Sequence, residues 1–324
     1  MKLLTMILRR IIILFFILCL HPQAYSHCEF VFKPLPENRK ISEEILTLSD
    51  HDRVGASKPW GADVYSFHYK SDYYSETNVP PRTIYIWFPR EYFTNPEKRF
   101  PVLYMHDGQQ IWDDKHATKH GSWEVNLTAG RLIAERKIEP IIIVGISHLG
   151  KYRTDELSPP IWSFEKMYPY ANLIEYEIKP LIDRSFRTKP DRKNTAIAGS
   201  SLGGLVSCWM AMASPDVFGK AGLMSPSFHP IFDAGLTLQL FIRDQKNNPL
   251  LKDTLFYIDH DGWESSLFTD EWFVTYLMSD HLIDRGYNVI YKPVHIPVTE
   301  EPHTEKNWRE RLHIMLEALF PIIP

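Results

Sequence analysis

The stretch "NTAIAGSSLGGL", Asn194 to Leu205, sets two adjacent serines between glycines behind a short apolar run. The pattern Gly-x-Ser-x-Gly fits it in one register, from Gly199 to Gly203, with Ser201 at the centre. A chain of this size carries that pattern by chance with a probability of roughly 0.1. Context raises its weight. The motif leaves a β-like run and opens a helical one, the strand–turn–helix setting that lifts a serine hydroxyl clear of the backbone for nucleophilic attack. Glycines suit the sharp turn, because flanking side chains would strike the adjoining strand and helix. Ser200 then points elsewhere and reads as a turn hydroxyl.

A serine hydroxyl needs a base, and histidine serves because its pKa lies near neutrality. In the chain order serine, acid, histidine, the base falls on the loop after the last strand. His303 in "TEEPHTEKNWRERL" sits there, ahead of the final helical run, while His295 on the strand "YKPVHIP" is the weaker candidate. The acid belongs on the loop after the preceding strand, "DTLFYID", which continues "HDGWESS". Asp259, Asp261 and Glu264 all qualify, and spacing does not choose among them. Its task is to accept the Nδ1 proton of the histidine and stabilise the imidazolium. Two backbone amides must hold an oxyanion. Leu202, after the serine and at a helix N-terminus, supplies one. The turn "HDGQ" supplies the other from Gln109, behind Gly108.

The elements that must position these residues alternate along the chain. "RTIYIWFP", "FPVLYMHDG", "EPIIIVGIS", "NTAIAGS", "KAGLMSPSF", "DTLFYIDHDG" and "YNVIYKPVH" read as strands. "ANLIEYEIKPLIDRSF", "LGGLVSCWMAMASP", "TDEWFVTYLMSDHLIDRG" and "EKNWRERLHIMLEALF" read as helices, the first kinked by Pro180 and the third capped by Thr269 and Gly286. Such alternation predicts an α/β fold with a mostly parallel central sheet and helices on both faces.

Composition agrees with one large globular domain: 324 residues, 44% hydrophobic, 23% charged. A net charge of -4 with no basic run sets nucleic acid aside as a partner. Lys2, Arg9 and Arg10 precede the apolar block "IIILFFILCL", and "HPQAYS" follows with a small-x-small spacing. Residues 1–26 therefore read as a cleavable signal peptide, which predicts a secreted or periplasmic protein with no stable membrane insertion after cleavage. The apolar block falls short of the roughly 20 residues a spanning helix needs. Residues 27–78 read as an N-terminal extension and 79–324 as the α/β domain.

Several separated blocks in order carry a resemblance: "FPVLYMHDGQQIWDD", "GSWEVN", "PIIIVGISHLGKYRTDELSP", "AIAGSSLGGL", "KAGLMSPSF" and "PHTEKNWRERL". From about "PPRTIYIWFPREYF" onward the chain resembles the esterase D-like family of α/β-hydrolases. That family includes enterobactin-type siderophore esterases, S-formylglutathione hydrolases and feruloyl or acetyl-xylan esterases. The resemblance implies an α/β-hydrolase fold and ester hydrolysis through an acyl-enzyme. It matches Ser201 to the nucleophile, His303 to the base and Gln109 to the second oxyanion amide. Asp261 stands where the family has the glycine that ends the strand, which makes Glu264 the matching acid. Trp123 looks like the family tryptophan near the cleft, with Trp112 and Glu124 on the same side. Arg153 matches a family arginine, expected to pair with Asp155 or Glu156.

The expected partner is a small-molecule or carbohydrate ester, and no cofactor is implied. Acyl transfer to a sugar or lipid hydroxyl would use the same residues, and a non-catalytic binding module would keep the fold without the chemistry. His116 and His120 have i,i+4 spacing but no third zinc ligand nearby. "DHDG" places its glycine too early for a calcium loop. Asn126-Leu127-Thr128 fits a glycosylation site only in a eukaryotic setting.

Overall fold

The computed structural model describes residues 45–48, 52–54, 64–71, 81–114, 117, 120–158, 167–228, 248–260, 271–293 and 303–322. Contacts divide the chain into Met1–Arg39 and Lys40–Pro324, and every feature below belongs to the second unit. The predicted signal segment lies outside the described residues, and so does Thr269.

The described strands form one sheet. They are β1 (Asp52–Val54), β2 (Val64–Tyr69), β3 (Arg82–Trp87), β4 (Val102–Met105), β5 (Ile142–Ile146), β6 (Thr195–Ser201), β7 (Lys220–Pro226), β8 (Leu255–His260) and β9 (Asn288–Pro293), in the order β1-β2-β3-β5-β4-β6-β7-β8-β9. The pairs from β5 through β4 to β9 are parallel, while β1, β2 and β3 form an antiparallel margin. The parallel part matches the expected sheet. Its inner strands β4 and β5 are buried at every position, because helices cover both faces.

Strand β2 lies within residues 27–78, the stretch read as an extension. It pairs with β3 along its whole length, and Val64, Tyr65 and Phe67 are buried. Ser66 and His68 interrupt its apolar pattern, so backbone pairing fixes it as a strand more than side-chain periodicity does.

The four longest helices among the described residues are α1 (Val125–Ala134), α2 (Leu202–Ala213), α3 (Glu271–Asp284) and α4 (Glu305–Leu319). Helix α2 is apolar on nearly every side and is buried against the sheet, as such a helix must be. Helix α4 buries Trp308, Leu312, Met315, Leu316 and Leu319 in a core that also holds Leu103, Ala196 and Met224. The kink predicted at Pro180 takes the form of a π-helical stretch, Leu173–Ile178, between α-helical Met167–Asn172 and Lys179–Ser185. Proline has no N–H to offer the preceding turn, and the wider π turn absorbs the mismatch.

Candidate active site

Strands β4 and β6 are neighbours, and β5 lies on the far side of β4. The chain thus leaves the carboxyl ends of β4 and β6 toward opposite sides of the sheet. A crevice opens at such a switch point, where α/β sheets bind ligands. The loop after β4 carries His106 to Gln110, and β6 ends at Ser201.

Ser201 has φ 56° and ψ -124°, a left-handed setting that is strained for any residue with a side chain. Pairing with β7 shifts register between Ser200 and Ser201. A Cβ on Gly199 would lie 2.7 Å from the carbonyl carbon of Gly203, a backbone atom with nowhere to go. A Cβ on Gly203 would meet the His106 Cβ at 3.4 Å and Asp107 Oδ2 at 3.5 Å, both ordinary contacts. The clearance expected of both motif glycines is therefore demanded of Gly199. We expect Gly199→Ala to lower the melting temperature by several degrees and Gly203→Ala to stay near wild type, as thermal unfolding would read. Equal shifts would contradict the geometry.

Ser201 Oγ lies 3.1 Å from Ser227 Oγ, and the Ser227 amide donates to the Ser201 carbonyl at 3.0 Å. Ser227 follows β7, the strand next to β6, so sheet order was the signal that could have found it. Ser200, read as a turn hydroxyl, is buried and also contributes to the cleft wall.

The cleft above Ser201 encloses about 350 Å³, and His303, Trp123 and Trp308 share its wall with the serine. His303 stands edge-on to the Trp308 ring, centroids 5.0 Å apart, and Trp308 lies 5.8 Å from Trp123. Two residues far apart in sequence, a hydroxyl on a strained turn and an imidazole, thus face one cavity. Nucleophilic acyl chemistry requires such a pair.

Of the other expected site residues, Leu202 is the first residue of α2. Gln109 lies in the 3-10 turn Gly108–Gln110, and its Oε1 accepts from the His148 amide at 3.2 Å. Gln110, beside it, lines the cleft. Trp112 is not a cleft wall: it is buried in the core, 6.3 Å from the Tyr85 ring. Glu124 meets Arg309 at 3.5 Å.

Arg153 takes a different partner from the one expected. It grips both oxygens of Asp107 at 2.7 Å, while Glu156 pairs with the buried Arg82 at 2.8 Å. Asp107 sits at φ 56°, so the two-pronged grip holds the turn after β4 in a conformation it would not keep alone. His106, one residue earlier, is fixed by the Tyr170 hydroxyl at 2.7 Å. Burial drops its pKa to about 4, Asp107 opposing and Arg153 assisting, so it is neutral at pH 7. His148 is lowered too, again first by burial.

Among the three carboxylates considered as the acid, Asp261 and Glu264 lie outside the described residues, as do His295 and His116. Asp259 is described and is engaged elsewhere. It is fully buried at the end of β8, where Oδ2 meets Arg311 Nε at 3.1 Å and the Tyr257 hydroxyl at 3.0 Å, and Oδ1 accepts the Ser225 amide at 3.1 Å. Its oxygens tie β7, β8 and α4 together. His120 lines the cleft, and among the described residues no group of three or more His, Cys, Asp or Glu could hold a metal.

A family model described as "Putative esterase" matches residues 75–319. A stretch of 169 residues is 32% identical to an endo-1,4-beta-xylanase/feruloyl esterase of Xylanibacter ruminicola, covering 47% of this chain and 20% of that protein. The chain thus spans about a fifth of the length of that relative. A solved ferulic acid esterase superposes with a TM-score of 0.60 at 18% identity, over 79% of this chain and 97% of that one. The enterobactin esterase of Shigella flexneri superposes with a TM-score of 0.60 at 16% identity, over 82% of this chain and 60% of that one. These likenesses establish the fold as that of the α/β-hydrolases.

Proposed function

The chain belongs to this esterase family, and from that premise we propose that it is an exported serine esterase that hydrolyses a carboxylic ester. One observation carries the reading: Ser201, on a strained strand-to-helix turn, shares a cleft with His303. In this reading Ser201 Oγ attacks the ester carbonyl while His303 accepts its proton. The amides of Leu202 and Gln109 hold the oxyanion, and removing one such donor typically costs about 10²–10³ in kcat. Collapse of the tetrahedral adduct expels the alcohol, which takes the proton back from His303. Water, deprotonated by His303, then releases the acid and restores Ser201. Glu264 is the carboxylate assigned to hold His303 in the working tautomer.

A siderophore lactone or an acylated carbohydrate is the substrate class we favour. Its support is the aromatic wall of Trp123 and Trp308, together with relatives described as feruloyl and enterobactin esterases. A fluorophosphonate probe tests the chemistry. We expect one covalent adduct, mapped by mass spectrometry to Ser201; an adduct on another residue would refute the assignment.

Export rests on the basic, apolar and small-residue order of residues 1–26. Among the described residues no helix is long and apolar enough to cross a membrane. N-terminal sequencing of the protein recovered outside the cytoplasm should begin at His27.

A further inference from the structure

The cleft contains a carboxylate that the reaction above does not use. Glu305 opens α4, two residues after His303, and lines the cavity together with Ser201. Only 9% of the residue is exposed. Among the described residues no side chain hydrogen-bonds or ion-pairs with its carboxylate. Burial raises its pKa, its own backbone amide and the charges of His120 and Arg153 work against the rise, and Asp107 adds to it. A carboxylate so placed is costly unless something meets it.

The charges around it sharpen the point. Asp107 and Arg153 neutralise one another through their two-pronged pair, and His106 is uncharged at pH 7. Glu305 is then a carboxylate of the described wall that no side-chain hydrogen bond or ion pair among the described residues engages, with the charge of His120 an opposing influence. An ionised carboxylate only accepts hydrogen bonds. A hydroxyl can satisfy it, whereas a second anion entering the cleft would be repelled.

We propose that Glu305 is a specificity-determining residue: its carboxylate accepts a hydrogen bond from a hydroxyl of the bound ester and turns away esters that carry an anionic group. The proposal rests on the reading of Ser201 as the nucleophile of the same cleft. Recognition here acts on the substrate's periphery and leaves the bond-making steps unchanged.

Three aryl acetates test it: phenyl acetate, 4-(hydroxymethyl)phenyl acetate and 4-carboxyphenyl acetate. Each is measured as kcat/KM and divided by the phenyl acetate value for the same protein, so that general losses cancel. In Glu305→Gln the hydroxymethyl ratio should fall about tenfold, the scale of a hydrogen bond to a charged group. The carboxylate ratio should rise about fivefold, as expected when a like charge is removed. Glu305→Asp, which keeps the charge, should keep the wild-type order of the three esters. Ratios in Glu305→Gln equal to those of wild type would overturn the proposal and leave Glu305 a residue of the helix start. A Ser201→Ala protein that hydrolyses phenyl acetate as wild type does would overturn the reading of the cleft itself.

Discussion

Ser201→Ala should lower kcat for p-nitrophenyl acetate by about 10⁴–10⁶ while the protein stays folded. The size follows from the role. Without the oxygen nucleophile no acyl-enzyme forms, and the oxyanion amides and the cleft retain only the part of catalysis that does not need Oγ. The fold has little to lose. Among the described residues Oγ makes one hydrogen bond, to Ser227, worth about 1 kcal/mol net. Alanine at φ 56° carries much the same strain as serine. Ser200→Ala provides the contrast: a buried hydroxyl in the same wall, expected to change kcat less than tenfold. Steady-state kinetics with thermal melts on all three proteins decides. A full rate in Ser201→Ala, or equal losses in both variants, would refute the nucleophile.

The second large effect is on stability. Arg311→Met should cost about 3–5 kcal/mol, because it strands the Asp259 carboxylate in the core. Both side chains are almost wholly enclosed, at 2% and 0% exposure. Arg311 also donates to the Ser225 hydroxyl, and Ser225 holds a left-handed φ of 42° just ahead of Ser227. Adding Asp259→Asn to Arg311→Met should recover part of the loss, since no charge is then left unpaired. Urea titration of the two variants and wild type measures both terms. A loss below about 1 kcal/mol for Arg311→Met would show the pair to be weakly coupled to folding.

These two sites differ in how far they could be read from sequence. The strand-to-helix turn at Ser201 is local: a short apolar run, two glycines and a helical run lie within one continuous stretch. His303 follows from chain order, because the last strand and last helix bracket it. The parallel sheet was legible for the same reason, in apolar runs buried on both faces. Asp259 is the opposite case. It stood as a candidate acid by position, and the residue that claims it, Arg311, comes 52 positions later on a helix. Arg153 was expected to find its acid within a few residues and finds Asp107 46 positions away. Ion pairs of this kind are set by which strands and helices become neighbours, and no local pattern encodes that. Ser227 and Glu305 carry no local signal in the sequence for a related reason. Each gains meaning only once its backbone is seen to end at the cleft.

The packing of His303 against Trp308, and of Trp308 against Trp123, gives the protein a built-in optical reporter. Indole emission responds to the charge of an adjacent imidazole and to displacement of water from its face. Protonation of His303, or arrival of a ligand in the cleft, should therefore register in the light these two rings emit. The chain has 9 tryptophans, so the difference between wild type and Trp308→Phe isolates the signal. Ligands could then be ranked on a Ser201→Ala protein that binds them without turning them over, and candidate esters sorted by occupancy before any product is sought.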